Sequence, residues 1–105
     1  MANTLLLVGG DLCARTARAL DPGTWTCVGL RRRAMEARPG DRIRWLRADL
    51  CDPDSLTAAM AAVRGLASGP VTHILYAPAP DARTPEAYAR AYPQGLRALL
   101  DALPN

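Results

Sequence analysis

The stretch that most constrains the fold is Thr4 to Val8, TLLLV, with Gly9 and Gly10 directly behind it. A short β-branched and apolar run without polar alternation is too brief for a buried helix. It predicts a strand covered on both faces, as in a parallel sheet. Asp11 follows as a predicted N-cap. From there Leu12, Cys13, Thr16, Ala17 and Leu20 recur at helical spacing, with Arg15 and Arg18 on the opposite side. The unit is strand, glycine turn, helix. Such a junction leaves the first helical N–H groups uncovered at the positive end of the helix dipole, where a phosphate can bind.

The remainder of the chain repeats the alternation. Asp21-Pro22-Gly23 marks a turn, and Trp25 to Leu30 (WTCVGL) predicts a second strand. Arg31 to Gly40 has little apolar periodicity and reads as one or two helical turns or a loop. Ile43 to Ala48 predicts a third strand. Asp52, Pro53 and Asp54 then open a helix as N-cap, first-position proline and first-turn acid, with Leu56, Met60 and Val63 as its buried stripe and a break over residues 67–70. Val71 to Ala77 predicts a fourth strand, stopped by Pro78-Ala79-Pro80. Thr84-Pro85-Glu86 starts the last helix, on which Tyr88, Tyr92, Leu96, Leu99, Leu100 and Leu103 form one apolar face and Pro93 introduces a kink.

Strands alternating with helices require a parallel sheet with right-handed crossovers. The expected fold class is therefore α/β: a Rossmann-like half-domain, about four strands in the order 3-2-1-4, helices on both faces, and a ligand crevice at the carboxyl ends of strands 1 and 4. A length of 105 residues fits one such domain.

Composition removes several other classes. Three cysteines without a CxxC pair and a single histidine offer no metal constellation. No apolar run approaches the roughly 20 residues of a membrane span, and no basic segment precedes the first apolar run, so neither a membrane protein nor a signal peptide is expected. A cytoplasmic location follows by default. All 13 basic residues are arginine and the net charge is +3. The Arg31-Arg32-Arg33 cluster lacks the aromatic and further basic partners of a nucleic-acid surface.

Taken in order, LLLVGGDLCARTARAL, CVGLRRR, IRWLRADLCDPDSL, HILYAPAP and AYARAYPQGLRALLDAL resemble the N-terminal part of atypical and extended short-chain dehydrogenases/reductases, the NAD(P)-dependent epimerase/dehydratase-like proteins. The resemblance runs over nearly the whole chain. It implies a dinucleotide at Gly9, Gly10, Asp11 and Leu12, with Asp49 and Leu50 along the adenine and Ala77 and Pro78 skirting the cofactor. Two positions depart from the family's glycine pattern. With Asp11-Leu12 held in register, Val8 falls on the first glycine of GxGxxG and Cys13 on the third. At the end of strand 2, where an NAD site carries an acid for the ribose 2′-hydroxyl, this chain has Arg31 and Arg32, which suit the 2′-phosphate of NADP. A solvated basic turn is the alternative for the arginines, and a cap on the strand end is the alternative for Asp49.

The family's hydride chemistry uses a Tyr with a Lys four residues on, and this chain has no Lys. Tyr88 and Tyr92 are expected in the core, His73 and Tyr76 in a strand, and Ser55 has no nucleophile's partner. No catalytic residue is assigned. Three readings follow: the dinucleotide-binding half of a truncated oxidoreductase or epimerase, inactive alone; a non-catalytic pseudoenzyme or oligomer-forming remnant with a decayed nucleotide site; and an unrelated flavodoxin-like domain. Strand 71–77, an unprotected edge, is expected to promote self-association.

Overall fold

The computed structural model describes residues 3–33, 42–67 and 69–103. Its elements are β1 (Asn3–Gly9), α1 (Asp11–Arg18), β2 (Trp25–Arg31), β3 (Ile43–Arg47), α2 (Pro53–Leu66), β4 (His73–Ala77), α3 (Pro85–Ala89), a π turn (Arg90–Gln94) and α4 (Gly95–Ala102). The four strands form one parallel sheet in the order β3-β2-β1-β4, so the fold is Rossmann-like α/β. No helix among the described residues is long and apolar enough to cross a membrane.

The central position of β1 explains its composition. Leu6 sits in register with Val28 and Ile74, and Val8 with Leu30 and Tyr76. Alternate residues of β1 feed two cores. Leu6, Val8, Val28 and Leu30 pack with Leu56, Met60 and Val63 of α2 and Leu99 of α4. On the other face, Leu5, Leu7, Cys27 and Ile43 pack with Cys13, Ala14 and Ala17 of α1. Helices thus cover both faces. Each fully buried leucine contributes about 1.5–3 kcal/mol of transfer free energy, and Leu6, Leu7 and Leu99 are wholly buried.

The polar starts of two later helices follow the sequence. Asp52 Oδ1 accepts from the N–H groups of Asp54 and Ser55, and Thr84 Oγ1 accepts from Ala87, each cap followed by proline. Leu56, Met60 and Val63 are buried as their spacing predicts, and α2 ends at Ala67 in extended backbone.

Three expectations need correction. The N-cap of α1 is Gly10, and Asp11 lies in the first turn, where its carboxylate pairs with Arg15 at 3.2 Å. The helix consequently turns Cys13, Ala14 and Ala17 to the sheet and leaves Leu12 62% exposed. Strand β4 begins at His73, because the Thr72 hydroxyl takes the Thr4 N–H at 3.0 Å and donates back to the Thr4 carbonyl at 3.1 Å. A side chain thereby replaces part of the backbone ladder.

The last helix is the third case. Leu99 of the predicted stripe is buried and Leu103 packs against the same core, but the other buried positions are Ala87 and Gly95, and Tyr88 and Tyr92 are 43% and 44% exposed. Their rings stack on each other, 6.2 Å between centroids. Small residues prevail on the sheet side because they let the helix backbone approach Tyr76 and Leu50. Pro93, where a kink is expected, sits in a π turn between α3 and α4 in which the Gly95 N–H reaches Arg90 O, five residues back. The helical or loop character of Arg31 to Gly40 falls mostly outside the described residues, although Arg31 itself ends β2.

Candidate functional site

At the carboxyl ends of the strands, a crevice of about 680 Å³ opens between the ends of β2, β1 and β4. It is within the size range of small-molecule and cofactor sites. Gly9, Gly10, Asp11, Leu12, Arg31, Arg32, Asp49, Leu50, Ala77 and Pro78 all stand around it. Residues up to 69 positions apart in sequence are thus brought to one place by the strand order.

Gly9 has φ +140, a conformation that side-chain-bearing residues rarely adopt, and a β-carbon there would overlap the carbonyl of Ala77. The tight turn therefore falls on Gly9. Val8 is 4% exposed, with its side chain in the α2 and α4 core, so it supplies the floor beneath the turn. Cys13, at the position of the motif's third glycine, is wholly buried between α1 and the sheet, its thiol donating to the Val8 carbonyl at 3.5 Å. Burial pushes this thiol's pKa up; the nearby Arg31 charge and the Val8 contact pull the other way.

Among the described residues no side chain caps α1. Its first-turn N–H groups therefore retain their capacity for an anion, whereas α2 and α3 have theirs taken by Asp52 and Thr84. The arginines divide the space above. Arg31 lays its guanidinium over the turn, 3.3 Å from where a Gly10 β-carbon would stand. Arg32 forms a two-pronged pair with Asp81, Nη1 donating to Oδ2 at 2.5 Å and Nη2 to Oδ1. That pair holds the Asp81 carboxyl below, and the Arg32 guanidinium above, their ordinary pKa ranges. Arg33 is exposed at the rim, and Arg90 joins it from the π turn.

On the β3 side, Asp49 Oδ1 accepts from the Cys51 N–H at 2.9 Å, and Ser55 Oγ accepts from the Asp49 N–H at 3.0 Å. Asp49 thus shapes the turn that brings Leu50 and exposed Cys51 to the wall. Ser55 is a structural acceptor. His73 lies at the start of β4, the opposite end of the sheet from the crevice, against the Trp25 ring at 4.9 Å. Among the described residues no group of His, Cys, Asp and Glu could hold a metal ion.

Asp81, Arg90 and Cys51 were not among the predicted site residues. Asp81 is 49 positions from Arg32. The signal available for it was topological: in a 3-2-1-4 sheet the segments after strands 2 and 4 face each other across strand 1.

No family model and no curated protein matches this chain. It is similar to a solved structure assigned as an NAD-dependent epimerase/dehydratase from Methylobacillus flagellatus, with a TM-score of 0.55 and 28% identity over 97% of this chain. The chain spans 32% of that protein's length.

Proposed function

We propose that the chain is the dinucleotide-binding portion of an epimerase/dehydratase-like oxidoreductase of the short-chain dehydrogenase/reductase kind, and that it takes NADP(H) in preference to NAD(H). The observation that carries this reading is the coincidence, in one crevice, of a glycine turn ahead of an uncapped helix with arginines at the end of β2. The likeness to an NAD-dependent epimerase/dehydratase supports the same ligand class. The Gly9-Gly10 turn and the α1 N-terminus receive the pyrophosphate, Arg31 adds charge above it, Arg32 meets the ribose 2′-phosphate, Asp49 and Leu50 border the adenine, and Ala77 and Pro78 line the path toward the nicotinamide. When bound, the dinucleotide would supply hydride chemistry; without a lysine in this sequence, the chain has no Tyr-Lys pair to assist it.

Calorimetric titration of NADPH and NADH into the purified chain tests the reading. Saturable binding with the phosphorylated cofactor favoured supports it, and no heat from either cofactor at millimolar concentration removes it. Turnover of aldehydes, ketones or nucleotide sugars above a protein-free control would contradict the lack of activity in the chain alone.

An edge position for β4 favours self-association as well. The strand order leaves one side of His73–Ala77 without a neighbouring strand among the described residues, and its sequence carries no lysine or proline to discourage pairing.

A further inference from the structure

We propose that Asp81 is a specificity-determining residue which occupies the Arg32 fork in place of a phosphate, so that a 2′-phosphorylated ligand must displace it to bind. This rests on the dinucleotide reading above and deepens it.

Arg32 directly follows β2, and Asp81 lies in the loop after β4. Because β1 stands between those strands, their ends are separated by two strand spacings, roughly 10 Å, and the pair spans that gap across the mouth of the crevice. The bond uses both terminal nitrogens of the guanidinium and both carboxylate oxygens. An arginine engages phosphate through the same parallel fork. The carboxylate therefore occupies the donors that a 2′-phosphate would need.

Exposure makes the exchange feasible. Both side chains are about half exposed, 50% and 48%, so the pair is open to solvent and to an incoming anion. The positive charges of Arg33 and Arg90 also favour the ionised Asp81 carboxylate. Pro78 and Pro80 restrict the backbone that carries Asp81 toward β2. A ligand with a free 2′-hydroxyl makes no demand on Arg32 and is insensitive to the competition.

The test titrates 2′,5′-ADP and 5′-AMP, which differ by the 2′-phosphate alone, into the wild-type chain and the Asp81→Asn, Asp81→Ala and Arg32→Ala variants at low salt. Circular dichroism melting confirms that each is folded. Both Asp81 variants are expected to bind 2′,5′-ADP about threefold to fivefold more tightly than wild type, as the loss of one half-exposed competing pair implies. Their affinity for 5′-AMP should stay within about twofold. Adding Asp81→Asn to Arg32→Ala should give no gain, because the two residues act through one contact. Unchanged affinity for 2′,5′-ADP in the Asp81 variants, while Arg32→Ala weakens it, overturns the competition and leaves the 2′-phosphate site standing. Equal gains for both nucleotides also overturn it, making the pair a general barrier. No binding of either nucleotide by any variant removes the dinucleotide reading together with this one.

Discussion

Gly9 meets the carbonyl group of Ala77 across the ends of β1 and β4 with no space between them for a methyl group. The same glycine holds φ at +140. Gly9→Ala therefore combines backbone strain of about 1–3 kcal/mol with a steric overlap that only separation of the two strand ends can relieve. The melting temperature should fall by at least about 5 °C in a domain of this size. A thermal melt within 1–2 °C of wild type, on the order of measurement scatter, would show that the turn is not built as described.

Gly95 is restricted for a different reason. A β-carbon there would stand 2.5 Å from the Tyr76 hydroxyl and 2.8 Å from Arg90 O, and that hydroxyl donates to the Ala91 carbonyl at 2.5 Å. Alanine would gain about 1 kcal/mol of helix propensity, yet Gly95→Ala should destabilise, because the methyl displaces Tyr76. Tyr76→Phe should lose about 1 kcal/mol for the hydrogen bond. In the Tyr76→Phe background Gly95→Ala should then be less harmful, and urea unfolding of the four proteins measures that coupling. Additive losses would place the conflict elsewhere.

These two glycines also indicate how far the sequence could be read. The order of strands was legible because parallel neighbours need crossovers, and Asp52 and Thr84 were legible because cap, proline and acid stand in consecutive positions. The face of the last helix was legible only at Leu99 and Leu103. Aromatic and leucine residues outline a stripe by hydrophobicity, but closeness to Tyr76 and Leu50 is decided by side-chain volume, which favours Gly95. Likewise the ten residues that line the crevice could be brought together from the order of motifs, whereas the pairing of Arg32 with Asp81 depends on where two loops meet in space.

The cysteines should separate by reactivity. Cys13 and Cys27 are buried, and burial pushes both above the ordinary thiol value of 9.0, while Cys51 is exposed on the crevice wall. An aromatic disulfide reagent at neutral pH should modify Cys51 rapidly and the other two only on unfolding. Cys51→Ser should abolish the fast phase, and bound NADPH should slow it. For the buried pair, the unfolded chain loses thiol protons first, so stability should fall as pH rises past about 9. Rapid labelling of Cys13 or Cys27 in the native chain would contradict their placement.

Self-association is expected through β4. Sedimentation equilibrium should show dimers or larger species, and His73→Lys, at an exposed strand position, should weaken them by placing charge on the edge. This substitution is preferable to changes at Ile74 or Tyr76, which pack against the α2 and α4 core. A monomer at high concentration, or association indifferent to the charge, counts against pairing at this edge.

Arg31 and Arg32 should have separable effects on cofactor binding, although both come from one arginine run. Arg31 lies above Gly10, where a pyrophosphate common to both cofactors would pass, so Arg31→Ala should weaken NADPH and NADH alike. Arg32 points across the crevice mouth, so Arg32→Ala should weaken NADPH alone. A charge-assisted hydrogen bond is worth about 1.5–3 kcal/mol, and exposure with salt screening reduces it. The expected preference for NADPH over NADH is therefore about fivefold to fiftyfold at low salt. It should shrink as salt is added, with calorimetry at two ionic strengths as the measurement. Equal binding of the two cofactors by wild type, or a preference that survives Arg32→Ala, would leave the arginine run as a solvated turn at the end of β2.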